Sequence, residues 1–335
     1  MTSASTPKIM KGVQMKNFGG PEVLQYKTDL PVPVPRDGEV LVKNDFIGIN
    51  YVDVYWRIGM MGFAPGGIIG REAEGTVLSA GPGSVNDLQV GDRVVYLAMG
   101  AYAEYTAVPA STVYVIPAEV EPGVAAAALM QGLTALNLTH KICQVKKGDW
   151  ALVHAAAGGT GLWLCQLLKA QGAKTIGTAG TAEKIQLAKE NGADFVINYH
   201  EEKDLVKRVE EITGGHGVSV IYDGVGKNQA QNNVDVVAKD GTIVTYGVAS
   251  GIPPPISPAK LAAKNVRMVE PAETAVMRTV GTPLEFKKWC DKLFDAIIKD
   301  KMNVRIHDTY PLSKIVTVHQ DLEGRKTTGK VLVKP

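Results

Sequence analysis

Residues 149–173 read DWALVHAAAGGTGLWLCQLLKAQGA, and the interpretation of the small-residue run in the middle decides the fold. Ala156-x-Gly158-x-x-Gly161 has the G-x-G-x-x-G spacing of a dinucleotide-binding turn, with alanine in the first place. The second glycine of that pattern lets backbone approach a pyrophosphate, and the third lets helix and strand pack closely. Alanine is compatible with the first place if φ stays negative there. The plainer alternative is close packing with no ligand. Context favours a ligand, because an apolar strand precedes the run and a helix, read over residues 162–171 and ending at Gly172, follows it.

Downstream, strand and helix patterns alternate. AKTIGTAG, DFVINY, VSVIYDGVG and GTIVTYGVAS read as strands. TAEKIQLAKENGA, EEKDLVKRVEEITGG and NQAQNNVDVVAKDG read as helices, and NVRMVEP as a last strand at the sheet edge. Alternation of this length implies right-handed βαβ units and a doubly wound parallel sheet. Upstream, the first third reads as strands and turns. PVPVP, RDG, AGPG and VGD punctuate Val/Leu/Ile runs, as a small, strongly curved β-barrel requires. Residues 124–140 form a nearly apolar helical block. The tail has a helix with Leu284, Trp289, Leu293, Phe294 and Ile297 at helical spacing, then a short helix and a Val/Leu strand like those of the first third. The expected organisation is therefore residues 1–133 as a first β segment, 134–273 as the nucleotide-binding domain and 274–335 as a return to the β domain.

Composition sets wide bounds. The 335 residues suit two domains, and 36 basic against 34 acidic residues do not mark a nucleic-acid or membrane partner. Three scattered cysteines provide neither a zinc motif nor a disulfide framework. The stretch MTSASTPKIMKG has no apolar core and reads as a short disordered tail, not a targeting peptide. No apolar run reaches about 18 residues, the length a membrane span needs. The expected compartment is the cytoplasm, with the nucleus open as a second.

The choice of nucleotide rests on the second strand. An NAD-binding chain carries Asp or Glu about 20 residues beyond the glycines, to hold the ribose 2′-hydroxyl. Here the region reads GTAGTAEK, with no carboxylate at the strand end and with Thr181 and Lys184 placed to bind a 2′-phosphate, so NADPH is expected. Glu183 opposes this reading unless its side chain points away. His154 beside the glycine run and Cys165 on the following helix read as packed residues.

The spaced set NYVDVYWRIG, GREAEGTV, VGDRVVY, GAYAEYTAVPA, LTALNLTHK, HAAAGGTG, GTAGTAEK and VIYDGVG resembles the zinc-independent medium-chain dehydrogenase/reductases. Within them it is most similar to NADPH:quinone oxidoreductases of the zeta-crystallin type, from about Lys11 to the C-terminus. The resemblance implies a GroES-like β domain, a Rossmann domain and NADPH in the cleft between them. It further implies Asn50 and Tyr55 beside the nicotinamide, and Thr134, Gly158, Gly159, Thr160 and Gly161 at the pyrophosphate. Gly180, Lys184 and Tyr199 would surround the 2′-phosphate. Val225, Tyr246, Gly247 and Ser250 would line the nucleotide path, with Arg325 reaching it from the C-terminal segment. One departure is Val269-Glu270-Pro271, where the family often has Thr-Arg-Pro. Zinc-dependent relatives need a thiolate where Asn50 stands and a His-Glu pair where Arg71-Glu72 stands, so no metal is expected.

The function implied is reduction of a quinone by NADPH, with Tyr55 hydrogen-bonding the developing oxyanion or donating a proton and Asn50 orienting the carboxamide or the substrate. Reduction of α,β-unsaturated carbonyls (2-alkenals and enones) uses the same hydride geometry and is the first alternative. Binding of AU-rich RNA in the cofactor cleft is the second, although no RNA-binding motif is visible. The edge strand predicts a homodimer formed by strand pairing across a two-fold axis.

Overall fold

The computed structural model describes residues 6–62, 64–83, 85, 87–270, 275 and 280–335. It divides into two compact units, Met1–Met130 with Val280–Pro335, and Gln131–Thr279. The expected boundary at 273–274 and Pro271 of the departing tripeptide lie outside the described residues.

The first unit is built on β3 (Glu39–Ile49), an eleven-residue strand that pairs antiparallel with β4 (Glu72–Ala80), β6 (Tyr105–Pro109) and the C-terminal β15 (Lys330–Lys334). The sheet continues from β4 to β5 (Arg93–Leu97) and β7 (Val113–Val115), and from β15 to β14 (Ile306–Pro311). Its curvature comes from register shifts in β3 at Leu41/Val42 and Asn44/Phe46. Gly75 lies opposite the second shift, where a Cβ would stand 2.9 Å from the Asn44 Cα, so no larger residue fits. The core holds Val13, Val40, Ile47, Val94, Tyr96 and Tyr102, each at most 0% exposed.

Three local expectations change here. β1 (Ile9–Met15), paired with β2 (Leu24–Pro31), begins inside the stretch read as a disordered tail, whose residues 1–5 lie outside the described set. A helix, α1 (Tyr51–Arg57), interrupts the segment read as strands and turns. It is short, but its start is marked: Asp53 accepts a hydrogen bond from the Asn50 N–H at 2.9 Å, half of a capping box. Leu284 of the tail helix, α8 (Pro283–Ile298), is 76% exposed and stands off the buried stripe of Phe286, Cys290, Leu293 and Phe294. Pro283 at the first helical position places Leu284 before that stripe begins. The tail then runs through β14 and α9 (Ile315–Glu323) into β15.

The second unit begins within α2 (Val124–Asn137) and is built on a six-stranded parallel sheet. In chain order its elements are β8 (Trp150–Val153), α3 (Gly159–Ala170), β9 (Lys174–Ala179), α4 (Ala182–Glu190), β10 (Phe195–Asn198), α5 (Leu205–Thr213), β11 (Val218–Asp223), α6 (Ala230–Val236), β12 (Val237–Thr245), α7 (Pro258–Ala263) and β13 (Arg267–Val269). The spatial order β10-β9-β8-β11-β12-β13 reverses direction between β8 and β11, the Rossmann topology. Leu152, Ile176, Val218, Ile221, Val234 and Ile243 form its core. The helix read through NQAQNNVDVVAKDG ends at Val236; Val237 pairs with Val218 of β11, and Asp240 turns at φ 61°. Paired burial of the β-branched Val236 and Val237 overrides the helical propensity of the flanking residues. β13 lies at the sheet edge, as expected. An α/β architecture combining a Rossmann sheet with a GroES-like β domain is thus established.

Candidate active site

In the second unit the glycine run crosses the carboxyl end of β8. α3 starts at Gly159, three residues earlier than its apolar pattern suggests, with Gly158 as N-cap at φ −76° and no side-chain cap. The N–H groups of Gly159, Thr160 and Gly161 therefore form the uncapped first turn of a twelve-residue helix, which suits a phosphate. A Cβ on Gly161 would stand 2.8 Å from the Ala156 Cα, so this glycine serves the helix–strand contact. A Cβ on Gly159 would strike the Gln131 carboxamide. Thr134, half-buried, lies one turn along α2 from Gln131. Ala156 does not have positive φ; Ala155 does, at 53°.

At the next strand end, Gly180 is buried beneath Tyr199, and an added Cβ would stand 2.6 Å from the Tyr199 Cζ. Thr181 is the N-cap of α4 and accepts the Lys184 N–H at 3.3 Å. Lys184 is half-buried, whereas Glu183 is exposed. Gly180, Thr181, Lys184 and Tyr199 thus gather at one strand end where no acidic residue stands between Gly177 and Ala182. Further along the sheet, Ser250 bridges two loops: its Oγ donates to the Val225 carbonyl at 2.8 Å and accepts from the Asn228 N–H at 3.0 Å. Tyr246 donates its N–H to the Asp223 carbonyl, and Gly247 is held against Gly224, whose carbonyl a Cβ would meet at 2.9 Å.

In the first unit, Asn50 is 5% exposed. Its Nδ2 donates to Glu72 Oε1 at 2.6 Å and to the Gly48 carbonyl at 3.3 Å, while its Oδ1 accepts from the Lys330 ammonium at 2.8 Å. Lys330 also forms a short hydrogen bond to Glu72, and the second Glu72 oxygen accepts the Met130 N–H at 2.7 Å. Both Asn50 amide hydrogens are therefore committed within the protein. Tyr55, on α1, is half-buried, with its ring 5.4 Å from that of Tyr51. Arg325, exposed just beyond α9, acts electrostatically on the Tyr51 phenol, which burial and then Glu323 raise while Arg325 and Arg57 lower it. Asn50, Tyr55 and Arg325 thus share the neighbourhood of α1.

Behind α1 lies a cluster that inspection of the sequence missed. Asp53 Oδ2 accepts from the Tyr102 hydroxyl at 2.7 Å, and that hydroxyl lies 3.1 Å from His319 Nε2. Burial pushes Asp53 up to about 7, against the lowering effects of its hydrogen bonds and Lys330, and holds His319 down to about 3. The Asn50/Asp53 spacing is the signal that marks Asp53. Nothing local marks Lys330 or His319.

The residues that the resemblance sets at the metal-ligand positions of zinc-dependent relatives are engaged otherwise here. Asn50 bonds Glu72 and Lys330, Arg71 sits 5.9 Å over the Trp56 ring, and Glu72 is already paired with an ammonium. Among the described residues no cluster of three His, Cys, Asp or Glu side chains could hold a metal, and no helix is long and apolar enough to cross a membrane.

The chain matches the family described as alcohol dehydrogenase GroES-like domain over residues 36–118, and that described as zinc-binding dehydrogenase over residues 159–289. It is 39% identical to quinone oxidoreductase 1 of Escherichia coli, covering 96% of this chain and 99% of that protein. It is 33% identical to a 2-haloacrylate reductase of Burkholderia, covering 95% and 96%. The structure of the Escherichia coli quinone oxidoreductase complexed with NADPH superimposes with a TM-score of 0.92 at 37% identity, over 97% of this chain and all (100%) of that one. The β-domain sheet and the Rossmann order agree with these similarities: the chain belongs to the quinone oxidoreductases of the zinc-independent medium-chain dehydrogenase/reductase family.

Proposed function

We propose that this protein reduces quinones with NADPH and without a metal. The observation that carries this reading is the Asn50–Glu72–Lys330 cluster, in which a buried ammonium already neutralises the carboxylate. Without a Lewis acid to polarise an alcohol, several kcal/mol of stabilisation, roughly, are lost, so the acceptor must be electron-poor from the outset. A quinone meets that condition because charge spreads over its ring and both oxygens. The relatives named for quinone reduction, one of them solved with NADPH, support the same substrate and cofactor.

Bound NADPH supplies a hydride from its nicotinamide C4. The chain's own residues bind and orient. The first-turn N–H groups of Gly159, Thr160 and Gly161, with Gly158 and Thr134, receive the pyrophosphate. Gly180, Thr181, Lys184 and Tyr199 receive the 2′-phosphate. Val225, Tyr246, Gly247 and Ser250 line the remaining nucleotide, and Arg325 adds a cation from the α1 neighbourhood. Tyr55 donates a hydrogen bond to the oxygen on which charge develops. Asn50 acts chiefly by bridging Glu72 and Lys330 beside the start of α1, since its amide hydrogens are already used.

The test is NADPH oxidation by ortho-quinones, with NADH in parallel and with chelator or zinc added. Quinone-dependent turnover that prefers NADPH and ignores chelator is expected. Activity lost to chelator and restored by zinc overturns the reading. Similarity to a 2-haloacrylate reductase favours a second reading, reduction of activated double bonds, and 2-alkenals competed against quinones separate the two. Pairing of the β13 edge with its twin makes the protein a homodimer, and a concentration-independent monomer mass would exclude it. The free thiols of Cys143, Cys165 and Cys290 suit the reducing cytoplasm.

A further inference from the structure

Ala155 occupies the left-handed backbone region without being glycine, and the turn it forms carries the uncapped end of α3. A residue held there needs surroundings that over-determine it. The surroundings are polar and buried: Thr178, His154, Asn233 and Asp223 are 3%, 0%, 1% and 2% exposed.

Their hydrogen bonds have only one consistent direction. Asn233 lies 2.8 Å from Asp223 Oδ2 through Nδ2, because a carboxylate can only be met by the amide N–H. Asn233 Oδ1 therefore faces His154 Nε2, at 2.8 Å, and Nε2 must carry the hydrogen. His154 Nδ1 is then an acceptor and takes the Thr178 hydroxyl hydrogen at 3.2 Å. The Thr178 oxygen in turn accepts the Ala155 N–H at 3.3 Å, while the Thr178 carbonyl accepts the Ala156 N–H at 3.0 Å. At the far end Asp223 Oδ1 accepts the N–H groups of Val225 at 2.7 Å and Gly226 at 3.0 Å.

This relay starts on β9, passes His154 just beyond β8 and Asn233 on α6, and ends on β11; the three strands are neighbours in the sheet. It crosses the point where strand order reverses, beneath the crevice in which doubly wound sheets take their ligands. We infer that His154 is a positioning residue for NADPH, locking the phosphate-binding turn at Ala155 to the Val225–Gly226 turn through this directional chain. The inference rests on the NADPH reading above. His154 touches no reacting atom; it sets where two cofactor-facing backbones stand relative to each other.

The test uses the full-length chain and direct NADPH titration by fluorescence, with Thr178→Val, Asn233→Leu, their double variant and His154→Gln. Each single cut should raise the NADPH dissociation constant about tenfold, and the double variant should match the single ones, because a severed relay cannot be severed again. KM for NADPH should rise in step while kcat changes less than threefold. Glutamine, which presents one acceptor and one donor, should keep affinity within threefold of wild type. Unchanged affinity in both single variants, or an additive loss of about a hundredfold in the double, overturns the proposal.

Amide hydrogen exchange provides a readout independent of the cofactor. In Thr178→Val the Val225 and Gly226 amides, at the other end of the relay, should exchange about tenfold faster than in wild type. Wild-type exchange there refutes the relay even if Asn233→Leu does not fold. Faster exchange in a chain that binds no NADPH keeps the relay and discards the cofactor reading instead.

Discussion

The Lys330 ammonium and the Glu72 carboxylate meet inside the β domain with their side chains 1% and 0% exposed, 258 positions apart in the chain. Two charges withdrawn from water are tolerable only as a pair with further hydrogen bonds, which Asn50 and the Met130 N–H supply. The same pair occupies the Glu72 carboxylate, which is then not free for a metal ion.

Lys330→Met should therefore lower stability by about 3–5 kcal/mol, since it strands a buried carboxylate. The double variant Lys330→Met with Glu72→Gln should recover a large part of that loss. Denaturant unfolding midpoints of the three proteins measure it, and a double variant no better than the single one would mean that lost packing, not stranded charge, dominates.

Discrimination between nucleotides should reside at the end of β9. Lys184→Gln should reduce the preference for NADPH over NADH by roughly tenfold, about 1.4 kcal/mol, as loss of one charge-assisted phosphate contact predicts. Gly180→Ala should act on the same selectivity indirectly, because its Cβ would stand 2.6 Å from the Tyr199 Cζ and displace the ring. Parallel titrations with both nucleotides check this; equal losses for NADPH and NADH would place Lys184 away from the 2′-phosphate.

Tyr55→Phe tests the hydroxyl without removing the ring that packs against Tyr51. Turnover with quinones should fall by about threefold to tenfold at saturating NADPH, with NADPH affinity unchanged, since one hydrogen bond to a delocalised charge contributes on the order of 1 kcal/mol. A rate equal to wild type across several quinones would confine Tyr55 to packing.

Local periodicity carried much of this architecture. The βαβ series was legible because each strand and helix has its own period and its own turn residues. The glycine run was legible too, although the unusual backbone fell on Ala155, one place before the alanine that replaces the first glycine. What the pattern concealed was set by distant partners. The switch from α6 to β12 at Val236–Val237 depends on pairing with Val218, and α1 is short enough that only its Asn50/Asp53 start marks it. Lys330 stands at the start of an apolar strand, and nothing in its own stretch of chain points to Glu72, its partner 258 positions away. Asn50 shows the same limit: its position was legible, but not the commitment of its amide to Glu72 and Gly48.

The buried groups behind α1 make opposite contributions to stability as pH changes. Asp53, raised from 3.8 to about 7 mainly by burial, is protonated more readily in the folded chain than in the unfolded one. Its contribution is fully present below about pH 4 and is lost as pH rises towards 7. His319, lowered from 6.5 to about 3 by burial and then by Arg57, behaves in the reverse sense: its contribution is present above pH 6.5 and is lost as pH falls towards 3. Between about pH 4 and 6.5 the two slopes oppose, each at most roughly 1.4 kcal/mol per pH unit, so the wild type should show a flat profile there. The stability advantage of wild type over Asp53→Asn should shrink as pH rises through this window, and its advantage over His319→Gln should grow. Unfolding midpoints at four pH values decide the matter. Profiles for the two variants that run parallel to wild type would show that neither group changes protonation on unfolding in that range.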